Sequence, residues 1–249
     1  MKKAAIITVA GSSTRFRESI GKDVLKCLYT ENTEKETLLY KLVNLCSKYD
    51  SIIIVGGYKF DELQAFVKAS LNEFASKLIV IKNDHYADYG SGYSLYLGIK
   101  EAQKLDAEEI LFTEGDLGLD SLSFNRIIDS NKNVVSTNTD PIEAKKAVAF
   151  YINQNGTIKY IYDTAHSMLS INEPFLGIYN SGQVWKFIDA KRLYEIIKTL
   201  NQSELEGTNL IIVQKYFQVL SKNDYDVIGF EKWINCNTVD DYRKTGDVK

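Results

Sequence analysis

Residues that build cross-links and metal centres are scarce in this sequence, which has three cysteines and two histidines among 249 residues. Cys27, Cys46 and Cys236 are an odd number, lie far apart and include no C-x-x-C pair. They therefore indicate reduced thiols and give no support to a disulfide framework or a cysteine zinc site. The scarcity of histidine also argues against a histidine-rich metal site and against a nucleophile paired with a catalytic histidine.

Long hydrophobic runs and an excess of positive charge are also absent. The apolar run that follows Lys3 ends at Ala10, well short of the roughly 20 residues that span a bilayer, and a buried strand explains it better. A formal net charge of -3, without an extended Lys/Arg run, provides no electrostatic surface for duplex nucleic acid or for a membrane. We predict a cytoplasmic globular protein with neither of these partners.

What the sequence does contain is an alternation of apolar runs and helical patterns. Runs of strand length cover residues 4–9, 52–55, 78–81, 110–113, 133–137, 147–152, 175–179 and 227–234, and helical patterns cover 37–49, 61–74, 189–200 and 208–220. Continuous apolar strands linked by helices indicate a parallel sheet that is covered on both faces. No Gly/Ser-rich linker divides the chain. We therefore predict an α/β fold, a single-domain three-layer sandwich over residues 1–249 with a central, mostly parallel twisted sheet.

Ligands of such sheets bind beyond the carboxyl ends of the strands, which directs attention to three loops. The first loop follows Val9 and contains Ala10, Gly11, Ser12, Ser13, Thr14 and Arg15. Glycine and small polar residues let backbone N–H groups approach an anion, so this loop is a candidate phosphate cradle, with Lys26 as a further cation. The alternative is an ordinary strand-to-helix turn that uses these residues for turn geometry and capping, with Lys26 on the solvated surface.

The second loop leads from the strand at 78–81 into an amphipathic helix and contains Asn83, Gly90, Ser91, Gly92 and Ser94. Its glycines permit the backbone to lie against a flat base. A glycine-bearing helix entry that is capped by one of the serines is the alternative.

The third loop follows the strand at 110–113 and begins with Glu114, Gly115 and Asp116. Carboxylates at the end of a strand are where a hard cation that bridges nucleotide phosphates is expected, and Asp116 is the first candidate ligand. An aspartate in this position can also be only a turn former or a helix cap.

Together the three loops resemble those of the sugar-phosphate nucleotidyltransferases, which have a Rossmann-like fold of the GT-A type. Residues 6–16 and 24–28 carry the first part of the resemblance, although no proline precedes Lys26 as in the usual pair of that family. The segment from Asn83 to Tyr86, followed by Ser94-Leu95-Tyr96-Leu97, is similar to the CTP:phosphocholine cytidylyltransferase branch. Ser91 and Gly92 stand where that branch commonly has asparagines.

The resemblance implies roles for individual residues. Residues 10–15, with Arg15 foremost, would hold the triphosphate, Lys26 would contact phosphates near the reacting centre, and Asn83, Gly90, Ser91, Ser94 and Glu114 would complete the nucleotide site. Mg²⁺ is the implied cofactor, and Asn237 aligns with a second metal ligand beside Asp116. Glu173, Asn180 and Glu206 are the implied acceptor-binding residues. Capping or turn formation is the alternative role of Asn237 and of these three residues.

The activity implied by the resemblance is transfer of CMP from CTP to a small phosphorylated acceptor, with release of pyrophosphate. Phosphocholine and phosphoglutamine are acceptors of similar enzymes, which serve the modification of surface polysaccharides such as capsules. Tyrosines and Trp185 could form an aromatic box for a quaternary ammonium group, or simply pack in the core. A sugar-1-phosphate uridylyl- or thymidylyltransferase and a non-enzymatic nucleotide-binding domain are the alternatives, and a homodimer stays open.

Overall fold

A mixed β-sheet carries the fold in a computed structural model that describes residues 1–144, 148–162 and 169–248. The strands are β1 (Lys3–Val9), β2 (Ser51–Gly56), β3 (Leu78–Lys82), β4 (Glu109–Glu114), β5 (Leu117–Leu119), β6 (Asn133–Asn138), β7 (Ala149–Asn153), β8 (Ile158–Tyr160), β9 (Phe175–Phe187), β10 (Tyr225–Gly229) and β11 (Trp233–Asn235). The helices are α1 (Thr14–Ile20), α2 (Leu38–Leu45), α3 (Phe60–Ser70), α4 (Ser91–Lys104), α5 (Ser121–Asp129), α6 (Ala190–Lys198), α7 (Gln202–Leu205), α8 (Leu210–Phe217) and α9 (Val239–Lys244).

The main sheet has the strand order β10-β6-β9-β4-β1-β2-β3, and all of these strands except β9 run parallel to one another. β1 pairs in parallel with both β2 and β4, and β2 pairs in parallel with β3. β9 is antiparallel to β4, β6 and β7. The carboxyl ends of β1, β2, β3 and β4 therefore meet at one edge of the sheet, which is where the three loops of interest begin.

Helices cover both faces of this sheet. Ile6 of β1 packs in a cluster with residues of α4, α6 and α8, whereas its neighbour Ile7 packs in a second cluster with residues of α2, α3 and α5. Both isoleucines are fully buried, which explains why the strand reads as one continuous apolar run. The predicted α/β class with a central, mostly parallel sheet is confirmed. None of the helices described combines the length and the apolar character that a membrane crossing needs.

Several element boundaries differ from the predictions. The helical patterns at 37–49 and 61–74 were each too long, because α2 and α3 end early and short 3₁₀ turns follow them. β9 has 13 residues, where only 175–179 was predicted. It continues through Gln183 in a left-handed conformation with φ 57°, next to a register shift against β6. The run predicted at 147–152 corresponds to β7, and its first residue, Ala147, lies outside the described residues.

The single strand predicted over residues 227–234 is wrong, because the chain turns between β10 and β11. Asp120 holds this turn: its Oδ2 accepts hydrogen bonds from the backbone amides of Glu231 and Lys232 at 3.1 and 3.0 Å. Its Oδ1 caps α5 through the amide of Ser123 at 2.7 Å. As a result β11 leaves the main sheet and pairs with β5 instead. This pairing brings the C-terminal segment to the end of β4.

Two large side chains of β9 complete the core. Trp185 is fully buried and stacks on Phe112 with 5.0 Å between ring centres, so it belongs to the core and not to an exposed aromatic box. The next residue, Lys186, is 1% exposed, and its Nζ donates to the carbonyls of Ile128 and Ser130, each at 2.7 Å. Its Nζ also lies 3.4 Å from the buried carboxylate of Glu109. Burial lowers the pKa of Lys186, and the carboxylate counteracts that effect.

Candidate active site

The carboxyl ends of β1 and β4 border a cavity of about 340 Å³. All three loops singled out by the sequence contribute to its wall. The predicted site residues that line it are Ala10, Gly11, Ser12, Ser13, Lys26, Asn83, Gly90, Ser91, Ser94, Glu114 and Asp116. The first loop and the end of β4 thus converge on one space, as the phosphate-cradle hypothesis requires.

An ion pair links the segment after α1 to the third loop inside this cavity. Lys26 Nζ lies 2.9 Å from Asp116 Oδ2, and the two side chains are only 16% and 25% exposed. The other carboxylate oxygen of Asp116, Oδ1, is buried and has no hydrogen-bond partner among the described residues. A buried carboxylate oxygen without a partner is costly, so Oδ1 is suited to bind a cation. Asp116 does not cap α5, because Asp120 does, and it lies in the turn between β4 and β5.

Glu114 lies two residues before Asp116 and also faces the cavity. Its Oε1 accepts a hydrogen bond of 2.7 Å from the side-chain amide of Asn209, which is 2% exposed. Burial and then the negative charge of Asp116 raise the pKa of Glu114 to about 7, while the bond from Asn209 and the charge of Lys26 act in the opposite direction. The cavity therefore contains two carboxyl groups and one lysine close together.

The first loop is shaped by a left-handed residue. Ser13 has φ 56° and immediately precedes α1, and its Oγ accepts a hydrogen bond of 3.3 Å from the backbone amide of Lys26. Thr14 and Arg15 form the first turn of α1, are exposed and do not line the cavity. The predicted contact of Arg15 with a triphosphate stays a prediction, and it requires the side chain to turn back over the loop.

The second loop uses some of its polar groups internally. Asn83 is buried. Its side-chain NH₂ group donates to Ser94 Oγ at 2.9 Å, and its side-chain oxygen Oδ1 accepts from the backbone amide of His85 at 2.8 Å. Ser91 Oγ accepts from the backbone amide of Asn209 at 3.1 Å. Neither serine caps α4, whose N-cap is Gly90 without a side-chain hydrogen bond. Each hydroxyl has therefore accepted a hydrogen bond from the protein and keeps its own hydrogen to donate.

Gly90 and Gly92 lie against the backbone of residues 206–208. The amide of Gly90 donates to the carbonyl of Glu206 at 2.8 Å, and the amide of Gly92 donates to that of Gly207 at 3.0 Å. A Cβ atom on Gly90 would lie 2.4 Å from the carbonyl oxygen of Gly207. These glycines thus permit a close approach of two protein segments, whereas the sequence suggested an approach to a base.

Asn237 lies beside the turn that carries Asp116, because the amide of Cys236 donates to the carbonyl of Asp116 at 2.8 Å. The N-cap of α9 is Thr238, which forms a capping box with Asp241, so capping does not occupy the side chain of Asn237. Asn235 Oδ1 is a further buried oxygen without a partner in the part of the chain that is described. No three His, Cys, Asp or Glu side chains of the described ranges are grouped to hold a metal ion.

These oxygen donors fit Mg²⁺ better than a softer metal. The fit rests on the unpartnered Asp116 Oδ1, with the carboxamide of Asn237 nearby in the fold. An amide oxygen brings no negative charge, so substrate phosphates would have to supply most of the remaining ligands.

The three predicted acceptor residues do not line the cavity. Glu173 accepts hydrogen bonds from Tyr151 and Asn153 and pairs with Lys159. Asn180 is buried in β9, where its side-chain amide donates to the carbonyl of Asp140 at 3.4 Å. Glu206 is exposed and accepts from the side chain of Gln202 at 2.7 Å. Their acceptor role stays a prediction.

Some residues of the cavity were not singled out from the sequence. Tyr86 and Tyr89 line it from the second loop, and their position in the segment between Asn83 and Ser94 could have indicated them. Asn209 belongs to a segment of which only Glu206 was singled out, and no local pattern marks its contact with Glu114. Cys27 also lines the cavity, but burial raises the pKa of its thiol to about 12, so it is not a nucleophile at neutral pH.

A family model described as a domain of unknown function, DUF6564, matches residues 22–248. The chain belongs to this family. In the DUF6564 chain, Lys26, Asp116 and Asn237 lie inside the matched residues, and the first loop precedes them. No curated protein matches the sequence.

Solved structures share the fold of the DUF6564 chain over almost its whole length. A CTP:phosphocholine cytidylyltransferase from Streptococcus pneumoniae is 18% identical with a TM-score of 0.70, and the match covers 100% of this chain and 99% of that one. An inositol-1-phosphate CTP transferase from T. maritima is 19% identical with a TM-score of 0.69, covering 100% and 96%. A chain from Bacillus anthracis, described as a glucose-1-phosphate thymidylyltransferase, is 16% identical with a TM-score of 0.71, covering 98% and 94%. The chain therefore shares the fold of these three nucleotidyltransferases.

Proposed function

We propose that the DUF6564 chain is a cytoplasmic, Mg²⁺-dependent cytidylyltransferase. It transfers CMP from CTP to a small phosphorylated acceptor such as phosphocholine or phosphoglutamine and releases pyrophosphate, in the service of surface polysaccharide modification. The observation that carries the proposal is the Lys26–Asp116 pair at the end of β4, which lines the same cavity as the glycine loop of residues 10–13. The cytidylyl and thymidylyl transferases among the solved structures with this fold also support it.

The hydrogen-bonding state of Ser91 and Ser94 supports CTP over UTP. Both hydroxyls line the cavity and accept hydrogen bonds from protein amides, so each is left with a hydrogen to donate. Cytosine presents two neighbouring acceptors, N3 and O2, whereas N3 of uracil carries a hydrogen. Two donors on one turn of α4 therefore match the acceptor pair of cytosine, of which uracil offers only O2.

In the proposed reaction a phosphate oxygen of the acceptor forms a bond to the α-phosphorus of CTP, in line with the departing pyrophosphate. Such a reaction requires positioning and charge neutralisation and no protein nucleophile, which agrees with the protonated Cys27. The amides of residues 11–13 would hold the leaving pyrophosphate, and Lys26 would stabilise charge near the α-phosphate. Asp116 and Asn237 would hold Mg²⁺, which supplies further neutralisation of phosphate charge when bound.

The test is pyrophosphate release with each of the four nucleoside triphosphates, Mg²⁺ and a panel of phosphorylated small molecules. CTP should support turnover with at least one acceptor. Asp116→Ala should lower turnover by about 100-fold or more without a change in thermal stability. Asp129→Ala is the matched control, because Asp129 pairs with Lys48 on the exposed surface at 3.4 Å and lies outside the cavity. Near-normal turnover by the Asp116 variant would disprove the assignment of the site.

Base selectivity has a separate test. Ser91→Ala and Ser94→Ala should each lower the preference for CTP over UTP by about fivefold, since each removes one donor. Ser121→Ala, at the first position of α5, is the control and should leave the ratio unchanged. Turnover with UTP or dTTP but not CTP would favour the sugar-1-phosphate nucleotidyltransferase alternative. Tight CTP binding without pyrophosphate release for any acceptor would favour the non-enzymatic alternative.

A further inference from the structure

Three side chains connect the segment that contains the first loop (residues 10–15, called the phosphate loop below) to the neighbouring loop after β2. Arg17 Nη1 donates to Asp23 Oδ1 and to Tyr58 OH, each at 3.0 Å, and Tyr58 OH donates to Asp23 Oδ1. The guanidinium carbon of Arg17 lies 4.9 Å from the centre of the Tyr58 ring. We call Arg17, Asp23 and Tyr58 the loop clasp. None of the three lines the cavity.

The loop clasp contacts the chain on both sides of the phosphate loop. Before the loop, the backbone amide of Tyr58 donates to the carbonyl of Ala10 at 3.1 Å. After the loop and α1, Asp23 lies three residues before Lys26, and its carbonyl accepts from Lys59 Nζ at 2.9 Å. Tyr58 therefore contacts the start of the loop through its backbone and the segment that follows the loop through its hydroxyl.

The phosphate loop has few contacts of its own that would hold its shape. Ser12 Oγ and Thr14 Oγ1 lie 3.0 Å apart within the loop, and Ser13 Oγ accepts from the amide of Lys26 at 3.3 Å. Ser13 is in the left-handed region with φ 56°, a conformation that persists only where the surroundings enforce it. The contacts of the loop clasp are suited to enforce it, because they fix α1 directly after Ser13.

We propose that the loop clasp positions the phosphate loop for the triphosphate part of the nucleotide, with Tyr58 as its central positioning residue. This inference rests on the proposed nucleotidyltransferase function. It predicts that loss of the clasp weakens contacts with the β- and γ-phosphates, which the loop binds, and spares contacts with the base and ribose. A merely structural role of Tyr58 would weaken all parts of the nucleotide alike.

The experiment compares the affinities of the full-length protein for CTP and for CMP, both with Mg²⁺, by calorimetric titration. Tyr58→Phe removes only the hydroxyl and keeps the ring. It should raise the Kd for CTP about fivefold and leave the Kd for CMP unchanged. Tyr29→Phe is the matched control: Tyr29 follows the same segment, and its hydroxyl donates to Glu31 at 3.2 Å on the surface. The control should change neither affinity.

A second variant, Asp23→Ala, removes the carboxylate on which the other two side chains converge, and it carries the test if Tyr58→Phe does not fold. It should also weaken CTP and not CMP, and combining it with Tyr58→Phe should add little, since both disable one clasp. An equal loss of CTP and CMP affinity, or no loss of either, would overturn the inference while the proposed function stands. Failure of the unaltered protein to bind CTP would overturn both.

Discussion

Replacing Gly90 and Gly11 by alanine tests separately how the cavity is built and what it binds. A Cβ atom on Gly90 would lie 2.4 Å from the carbonyl oxygen of Gly207 and 2.9 Å from that of Glu206, whereas ordinary contacts begin at 3.4 Å. The distance to the Gly207 oxygen is thus about 1 Å too short (3.4 minus 2.4 Å). The atoms in contact belong to the backbone, so no side-chain rotation can relieve the overlap. Overpacking of this kind costs about 1–3 kcal/mol. For a chain of this size the midpoint of thermal unfolding should fall by roughly 2–12 °C.

Gly11 offers the opposite case in the same cavity. A Cβ atom there would have no heavy atom within 4 Å, and Gly11 does not have the positive φ found at Gly21 and Gly156. Gly11→Ala should therefore leave the free energy of unfolding unchanged or raise it by about 0.4–1 kcal/mol, because alanine gives the unfolded chain less conformational freedom than glycine. If the loop binds phosphates through its backbone, the added methyl group should nevertheless lower CTP affinity, by about 10-fold to 200-fold.

Thermal unfolding with and without CTP and Mg²⁺ separates the two effects. The Gly90 variant should unfold at a lower temperature in the absence of ligand. The Gly11 variant should unfold like the original chain but lose most of the ligand-induced shift. Gly246→Ala is the control, because it also has open space and lies outside the cavity. A ligand-induced shift that is preserved in the Gly11 variant would refute the phosphate cradle. A Gly90 variant of unchanged stability would refute the close packing against residues 206–208.

Further predictions concern the buried charges and the cation. Lys186→Met should destabilise the fold in thermal or urea unfolding by less than the roughly 3–5 kcal/mol of a fully unpaired buried charge, because Glu109 keeps Lys3 at 3.3 Å and the hydroxyl of Tyr49 at 3.2 Å. Adding Glu109→Gln should recover part of the loss. Hydrogen bonds lower the pKa of Asp120 below its usual 3.8 against the opposing effect of burial, so its stabilisation is present above pH 3.8 and is lost as the pH falls through the folded-state pKa. Asp120→Asn should abolish this acid-side dependence in urea unfolding measured as a function of pH. Removing divalent cations with EDTA should weaken CTP binding, and calorimetry that showed equal affinity with and without Mg²⁺ would contradict the role of Asp116.

The sequence predicted the parts of the fold that are governed by local hydrophobic pattern. β1 is buried on both faces, so its unbroken apolar run was sufficient to identify it, and the rule for parallel sheets then placed the loops after β1 and β4 together. The meeting of Lys26 and Asp116, which lie 90 residues apart, follows from that rule. The strand β5 has only three residues and was missed. The helix α5 was also missed, although Phe124, Ile127 and Ile128 give it an apolar face that could have indicated it.

Contacts between distant segments account for what the sequence did not predict. The division of residues 227–234 into β10 and β11 depends on Asp120, which holds the amides of Glu231 and Lys232 from more than 100 residues away. Nothing in the local sequence around Asn209 shows that it donates to Glu114 and to Ser91 at once. Likewise, the family resemblance assigned Glu206 to the acceptor, and nothing in the local sequence shows that its backbone carbonyl accepts a hydrogen bond from the amide of Gly90.

The charges of the cavity set a condition on any nucleotide that binds there. Lys26 is its only lysine or arginine among the described lining residues, and in this structure Asp116 already neutralises it. A triphosphate that entered alone would meet the Lys26–Asp116 pair, whose charges cancel, and the carboxyl group of Glu114. Only backbone amides would then attract it. Lys26 can leave Asp116 and bind a phosphate at a small cost in free energy only if another cation binds to Asp116. The nucleotide and a divalent cation should therefore bind together, and the unpartnered oxygen of Asp116 is where the protein provides for that cation.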